Sequence, residues 1–595
     1  MGSDEIILGI NLSHDTSCAA IASGEVKVAI SEERLNRVKH CNGISPFGRI
    51  IPFRSIKYCC DELGVKPYDV DLFVVNSCRK SAIDHLRAQL LGIREERILD
   101  VPHPGHHLAH AYSAFYCSPF DEAAVIVVDT NGSFIEPKDH RPDRLSHELE
   151  IERKEHYTCF HGTADGLRPI ITDFVEPGSV SLGELYCIYS AALQLTPTEG
   201  HYGYDDPISA GGKLMGLASY DLGKTPAPEL CTLDGDHLSI PLARVIDRLE
   251  KLGFVVSRRP GLEEIFGFMM RPYVELVRRT TSLEEEKYLS LAGEAQRELE
   301  RALLMIAHRV HEKTKSKNLC LAGGTMLNVT ACTRLLEETP FERIFIQPAA
   351  NDAGIAIGAG LWAYWNRAGG RARPYLEKTY DTCLGRRYSN EEVEAAIEKA
   401  KGTGKFTARR LTSLEEKANA LLPRIYEDQI VAVFEGRSEF GPRALGHRSF
   451  LASPSKGSMK DKMNELKHRE WYRPVAPVVL AEDFATYFDA PFDAVPYMTL
   501  SARCKDITSE RAPAVRHVDG SARPQTVTKE QSPLMHHLLG RMKSDGKLLP
   551  ILINTSLNVD KEPIVETPDH AVATLLSADL LDAILIEDWL LEKRR

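Results

Sequence analysis

The chain has 595 residues, with 73 Lys and Arg against 84 Asp and Glu, a formal charge of −11 and a pI near 6.1. At about 150 residues per domain, this length provides for several domains and at least two sizeable cores. With 43% apolar and 26% charged residues, the composition excludes disorder, collagen and a disulfide-dense scaffold, and the acidic balance argues against a broad grip on nucleic acid or anionic lipid while leaving room for a local basic pocket.

Residues 6–11, 18–21 and 26–30 read as consecutive strands, with His14 and Asp15 in the first turn. A helix from Gly105 to Phe115 would set His106 and His110 four apart on one face. Residues 123–128 (AAVIVV) read as a strand buried on both faces, and Asp129 ends it where open α/β sheets bind ligands. Residues 283–313 form an amphipathic helix along Tyr288, Leu291, Ala295, Leu299, Ala302, Ile306 and Val310, with Ser282 and Glu285 as its expected capping box. The acidic patch 284–286 reads as its solvated start. Residues 318–322 form a strand that Gly323 and Gly324 break, with a helix beyond, and Asp352 sits in a turn leading into the small-residue helix AGIAIGAGLWAYW. The Gly-, Arg- and Pro-rich stretch 367–387 is the best linker candidate, and Ser389 is the expected N-cap of NEEVEAAIEKA.

Two neutral imidazoles at the spacing of His106 and His110 can chelate one divalent metal, although a pair of core or surface histidines accounts for the spacing equally well. Asp129 and Asp352 would complete a set of two histidines and two carboxylates suited to Fe(II), Mn(II) or Zn(II), but each aspartate alone reads more simply as a cap or turn residue. The Gly323-Gly324 turn would let backbone approach a ligand, as many β–α turns do. No Walker A motif is present, since Gly223-Lys224-Thr225 has Ala218 where the upstream glycine belongs, and there is no GxSxG. The C-terminal half concentrates Arg443, Lys467, Arg469, Arg473 and Arg523 beside Gly, Ser and Asn, with Ser556 and Asn558 further on. Such a set suggests a phosphate pocket, since Arg grips phosphate bidentately and Lys adds a point charge. A basic surface patch is the alternative, and the interleaved Gly, Pro and aromatic residues disfavour it.

Thirteen cysteines at irregular spacings, without a CxxC, remove the zinc-knuckle and thioredoxin signatures and fit reduced thiols. The opening MGSDEIILGIN has no basic region before an apolar stretch, and the apolar runs are far too short to span a bilayer, so a cytoplasmic protein is expected.

In order along the chain, HHLAHA (106–111), GKLMGLA (212–218), LAGGTMLN (321–328), QPAANDAG (347–354), EFGPRALGHRS (439–449), REWYRPVAP (469–477), HVDGSARPQT (517–526) and NTSLN (554–558) resemble the O-carbamoyltransferase family of the NodU/CmcH type, from about Ile7 to Glu566. The resemblance implies an α/β and α+β protein: an N-terminal duplicated actin-like (ASKHA) fold over 1–370, then a YrdC-like domain over 385–595. It implies ATP-dependent O-carbamoyl transfer to a hydroxyl of a small natural product. In the YrdC-like domain carbamoyl phosphate and ATP would give carbamoyl-adenylate and pyrophosphate, gripped by Arg443, Lys467, Arg469, Arg473 and Arg523. Ser556 and Asn558 would complete that nucleotide site, and Mg(2+) would accompany ATP. Lys467-x-Arg469 and Ser556-x-Asn558 look like the KxR and SxN signatures of such domains. In the actin-like domain the adenylate would lie near Gly323 and Gly324. His106, His110, Asp129 and Asp352 match the family's metal ligands, the family metal being Fe(2+), with another divalent ion as the alternative. His14 is the expected general base on the acceptor.

The chain departs from the family pattern at Gly211-Gly212-Lys213, where EGK is usual, at Thr130-Asn131-Gly132-Ser133, where Gly-x-Gly-Glu is common, and at His447 and Leu557, where Asn and Phe are frequent. The first two bear on the acceptor. The implied partners are ATP, carbamoyl phosphate and a small hydroxylated acceptor, with no nucleic acid and no membrane. The sequence does not define an oligomeric state, and a homodimer is one option. A threonylcarbamoyl-type transferase modifying tRNA is the alternative reading, which the acidic balance disfavours, and a nucleotide-binding regulator is the third.

Overall fold

The computed structural model describes residues 5–41, 44–45, 48–49, 52–78, 90, 92–135, 153–195, 210–254, 282–559 and 561–594. The chain forms two units, one of Met1–Lys27 with Asn42–Tyr380 and one of Val28–Cys41 with Asp381–Arg595.

Besides two short two-stranded sheets, the first unit contains two larger sheets whose main paths have matching order. One comprises β1 (Ile6–Asn11), β2 (Ser17–Ala22), β3 (Glu25–Ser31), β4 (Leu72–Asn76) and β5 (Ile98–Asp100), arranged β3-β2-β1-β4-β5, and the unit boundary falls within β3. A helix, α1 (His106–Cys117), follows. The other comprises β6 (Ala123–Val128), β7 (Arg153–Thr163), β8 (Gly166–Val175), β9 (Asn318–Ala322) and β10 (Arg343–Ile346), arranged β8-β7-β6-β9-β10. In each sheet the first strand pairs antiparallel with the second and parallel with the fourth. The mixed α/β class read from the sequence is therefore present, and in the first unit it is duplicated. All six residues of β6 are buried, as a β-branched run covered on both faces requires.

Helix α2 (Glu286–Thr314) precedes β9, and α3 (Ile355–Asn366) follows β10. The expected Ser282–Glu285 capping box does not form. The Ser282 hydroxyl accepts the N–H of Glu284, two residues on, Leu283 is buried, and the helix begins at Glu286 with no side-chain cap. This local Ser turn takes the oxygen that a cap would need.

Helix α3 is glycine-rich because backbone surrounds it. A Cβ at Gly358 would lie 1.7 Å from the Ala109 carbonyl oxygen of α1, and one at Gly9 would lie 1.9 Å from that of Ala356. Neither neighbour is a side chain that can turn away. We expect Gly358→Ala to lower unfolding free energy by about 3 kcal/mol or more, the upper range for overpacking, and denaturant titration checks this.

The second unit carries a mixed eight-stranded sheet: β11 (Phe406–Arg410), β12 (Ile430–Phe434), β13 (Arg448–Ala452), β14 (Ala476–Leu480), β15 (Gln525–Val527), β16 (Leu552–Ser556), β17 (Leu581–Ile586) and β18 (Trp589–Lys593), in the order β11-β18-β17-β12-β13-β16-β14-β15. Helix α4 (Asn390–Lys401) starts at the expected cap, with Ser389 accepting from the Glu392 N–H. Helices α5 (Leu414–Tyr426) and α6 (Pro533–Asp545) bury Leu421, Ile425, Leu538 and Met542 with Val431, Leu552 and Leu585 of the sheet.

The unit boundary at Tyr380 lies inside the stretch expected as a linker, which is largely exposed or half-buried but tied to the first unit at two points. The Tyr375 hydroxyl accepts the Val26 N–H at 3.0 Å, and Arg373 stacks 4.1 Å over the Phe115 ring while donating to the Phe120 carbonyl. Among the described residues, no helix is long and apolar enough to cross a membrane.

Candidate metal centre and cationic cluster

The duplication brings the four expected ligands together. His106 and His110 project from α1, Asp129 follows β6, and Asp352 precedes α3, and their ligand atoms lie within 4.8 Å of one another in the buried interior of the first unit. His106 Nε2 lies 3.4 Å from Asp129 Oδ2 and 3.5 Å from Asp352 Oδ1, and His110 Nε2 lies 3.3 and 3.6 Å from the same two oxygens.

Other atoms of these side chains are held by neighbours. Asp129 Oδ1 accepts the Thr130 N–H, Asp352 Oδ2 accepts from the Ser13 hydroxyl at 2.6 Å, and His106 Nδ1 meets Cys78 Sγ at 3.3 Å. Each carboxylate thus fixes itself with one oxygen and offers the other, and an Nδ1–H directed at Cys78 would leave the His106 Nε2 lone pair facing inward. Both ring nitrogens of His110 are buried and have no hydrogen-bond partner. An orphaned imidazole opposite two carboxylate oxygens fits a divalent cation and is costly without one. Burial alone would raise the Asp129 pKa, but His106 and His110 hold its carboxyl well below the ordinary range. His107, between the two ligand histidines in sequence, is not a ligand: its Nδ1 meets Thr158 Oγ1 at 2.9 Å, and burial lowers its pKa to about 4.

Gly323 and Gly324 pack onto the same centre. Gly323 has a φ of 96°, and a Cβ there would lie 2.1 Å from the Val128 carbonyl oxygen, while one on Gly324 would lie 3.0 Å from Asp129 Oδ1. His14 sits 3.2 Å from Asp15 Oδ2 through Nδ1, and that oxygen also accepts from Asn351 at 2.6 Å. An Nδ1–H donated to Asp15 leaves the lone pair of His14 on Nε2.

Several supporting residues escaped sequence reasoning. The Ser133 hydroxyl accepts the N–H groups of Gly105 and His106, both at 3.0 Å, and so caps α1 in place of the side chain that Gly105 lacks. Nothing in the string TNGS signals this, since the helix it caps begins 27 residues earlier. Ser13 had a local clue, lying two residues after Asn11, whose Oδ1 accepts its N–H. We expect Ser133→Ala to cost about 1 kcal/mol of stability through the lost cap and roughly tenfold in divalent-metal affinity through misorientation of His106 and His110, with Ser133→Thr retaining both. Calorimetric metal titration of the full chain measures the second effect.

In the second unit Lys467 closes the helix Ser458–Leu466, and its ammonium donates to Ser556 Oγ at 3.2 Å and to the Asn558 carbonyl and Oδ1, both at 2.9 Å. It also bonds the Ser556 carbonyl. Ser556 Oγ lies 2.6 Å from Asn558 Oδ1. Arg443, Arg469, Arg473 and Arg523 are each partly enclosed, and the ion pair that Arg473 makes with Glu470 at 3.6 Å is a weak counter-charge for the set. Burial, and after it the charge of Arg473, brings Arg443 down to about 10 and Arg469 to about 9. Burial followed by Arg443, Arg473 and Arg469 drives Arg523 well below its ordinary value, and burial followed by Arg469, Lys39 and Arg473 does the same to Lys467. Mutually repelling cations gathered in one place are suited to meeting a polyanion. All seven residues expected in this half therefore belong to one neighbourhood. Glu439, unforeseen in the sequence, shapes it by accepting the N–H groups of Leu445 at 2.7 Å and His447 at 2.8 Å, which folds the loop bearing Arg443.

A buried donor set that could hold a cation in one unit and a gathering of cations in the other are features that suit a group-transferring enzyme. The family model for the carbamoyltransferase N-terminus matches residues 6–87 and 76–361, and that for the carbamoyltransferase C-terminus matches 423–593. The chain belongs to the carbamoyltransferase family, of the type that includes the nodulation proteins and the cephem carbamoyltransferase. Nodulation protein NolNO of Sinorhizobium fredii is 32% identical, with the match covering 98% of this chain and 79% of that protein. The 3'-hydroxymethylcephem-O-carbamoyltransferase of Amycolatopsis lactamdurans is 25% identical, with 98% and 99% covered. Among solved structures, component A of (R)-2-hydroxyglutaryl-CoA dehydratase from Acidaminococcus fermentans is 16% identical and covers 61% of this chain and 100% of its own at a TM-score of 0.35, a likeness too slight to define a fold.

Proposed function

We propose that this carbamoyltransferase is ATP-dependent and carbamoylates a hydroxyl of a small natural product in two steps. The observation that carries the reading is the gathering of Arg443, Arg469, Arg473 and Arg523 with a Lys467 anchored on Ser556 and Asn558, apart in the chain from the His106, His110, Asp129 and Asp352 set. In this reading the second unit is YrdC-like and makes carbamoyl-adenylate, and the first is actin-like and performs the transfer.

Atom balance constrains the first step. Carbamoyl-adenylate holds one phosphorus, that of AMP, so the donor's phosphate leaves as inorganic phosphate when water converts carbamoyl phosphate to carbamate. A carbamate oxygen then attacks the α-phosphorus of ATP and pyrophosphate departs. The arginines neutralise charge on the phosphates as it develops, with Mg(2+) accompanying the nucleotide.

In the second step the acceptor oxygen bonds to the carbamoyl carbon, the bond from that carbon to the AMP oxygen breaks, and AMP leaves. His14, oriented by Asp15, takes the hydroxyl proton on Nε2. Gly323 and Gly324 leave room for the nucleotide against backbone. His106, His110, Asp129 and Asp352 would hold Fe(2+) or another divalent ion, which when bound supplies Lewis acidity toward a carbonyl oxygen. One relative is named for carbamoylating a hydroxymethyl group on a cephem, which supports a small-molecule hydroxyl as the acceptor class.

Incubation with labelled ATP, carbamoyl phosphate and a panel of hydroxylated metabolites tests the reading. Equal amounts of phosphate, pyrophosphate, AMP and a product heavier by one carbamoyl group are expected. Product without pyrophosphate removes the adenylate step.

A further inference from the structure

The second unit includes fourteen residues that the chain contributes far in advance, Val28–Cys41. Their contacts fall on the loops that carry the cationic cluster. Arg34 is 2% exposed, and its Nη2 donates at 2.9 Å to the carbonyl of Gly441, two residues before Arg443. Arg37 forks onto two consecutive carbonyls, Ile564 at 2.9 Å and Pro563 at 2.8 Å. The carbonyl just before these, that of Glu562, accepts the Asn558 amide at 2.7 Å, and Asn558 Oδ1 in turn accepts from Lys467. The Val565 N–H returns to the Leu557 carbonyl, which ties the segment that Arg37 grips back to the residue before Asn558.

These bonds make an unbroken path from an N-terminal guanidinium to the groups that meet the phosphates. A guanidinium suits the task, since its planar fork spans two successive carbonyls while a lysine reaches one. Arg34 Nη1 is buried without a hydrogen-bond partner, so this arginine is retained at a cost that the Gly441 bond alone does not offset. Local packing does not explain two arginines directed at carbonyls more than 400 residues away in sequence.

We propose that Val28–Cys41 is a positioning element of the cationic cluster, with Arg37 setting Asn558 through the 562–564 carbonyls and Arg34 setting Arg443 through Gly441. The proposal rests on reading that cluster as the site where carbamoyl-adenylate and pyrophosphate form.

The test uses the full chain with Arg37→Met, Arg37→Lys and Arg34→Met. It compares carbamoyl phosphate-dependent ATP–pyrophosphate exchange, pyrophosphate affinity by calorimetry, and divalent-metal affinity of the first unit. Loss of one charge-assisted bond corresponds to about tenfold or more, so Arg37→Met is expected to weaken pyrophosphate binding by that factor and raise the KM for ATP. Arg37→Lys recovers part of the loss, and metal affinity stays at the wild-type value in all three. Half-exposed Arg37 keeps the test open if the buried Arg34 variant fails to fold. Unchanged pyrophosphate affinity in Arg37→Met overturns the proposal, as does a loss matched by an equal fall in metal affinity and melting temperature. Absence of exchange in the unsubstituted protein instead overturns the adenylation reading itself.

Discussion

On the proposed two-step reading, Asp129→Asn is expected to abolish carbamoyl transfer and to leave ATP–pyrophosphate exchange at its original rate. Asp129 Oδ2 is the oxygen that both His106 and His110 approach most closely, at 3.4 and 3.3 Å. The substitution keeps the shape but removes the charge, and an amide that turns its nitrogen inward would place N–H groups against two imidazole lone pairs. Metal affinity is expected to fall by more than about 100-fold, beyond the upper range for losing an outer-shell partner. Because the cationic cluster belongs to the other unit, the proposed first half-reaction is expected to be unaffected. Metal content after dialysis, exchange rate and product formation are measured on one preparation. Metal retention at the original affinity would rule out Asp129 as a ligand, and a parallel loss of exchange would show that the two chemistries are not divided between the units.

On the same reading Arg523→Met is expected to show the opposite balance, with adenylation collapsing while the fold gains stability. Arg523 sits among Arg443, Arg473 and Arg469, its Nε lacks a partner, and burial with those charges lowers its pKa well below the ordinary value. Removing one of four mutually repelling cations relieves the folded state, and each kcal/mol relieved raises the melting temperature by roughly 2–4 °C in a protein of this size or somewhat less. The rate of adenylate formation falls by about 10²–10³, the usual effect of deleting one donor to developing charge. The pH dependence follows from the depressed values, with Arg469 at about 9 and Arg443 at about 10 against an ordinary 12.5. Between the folded and unfolded values the unfolded chain binds more protons, so folded stability rises with pH from about 9 upward, and the advantage of Arg523→Met shrinks there. Pyrophosphate affinity moves the other way and is expected to fall as the cluster's cations lose their protons. Thermal melts and calorimetry from pH 7 to about 10 measure both trends. A variant less stable than the original at neutral pH would refute the account of strain.

Local pattern carried much of this architecture. The β-branched run before Asp129 could hardly be anything but a buried strand, and the four-residue step between His106 and His110 survives intact because helix geometry dictates it. Asp352 was legible from the small residues after it, which only a helix enclosed by backbone would need. Long-range supports were illegible for the corresponding reason. Ser133 caps a helix that begins before it, Cys78 reaches His106 from 28 residues away, and Arg34 meets Gly441 across 407, with no periodicity to mark any of them. Ser282 misled because a serine before an acidic run suits two structures, and the shorter-range turn prevailed.

The split composition of the second unit has a consequence for biosynthesis. The first carbonyl that Arg37 grips is translated 526 residues after it. Until then residues 28–41, with Arg34, Arg37 and Lys39 against Glu32 and Glu33, are without their native neighbours, and closure over so long a separation is entropically slow. A chaperone that shelters this stretch would therefore speed maturation of the second unit more than that of the first.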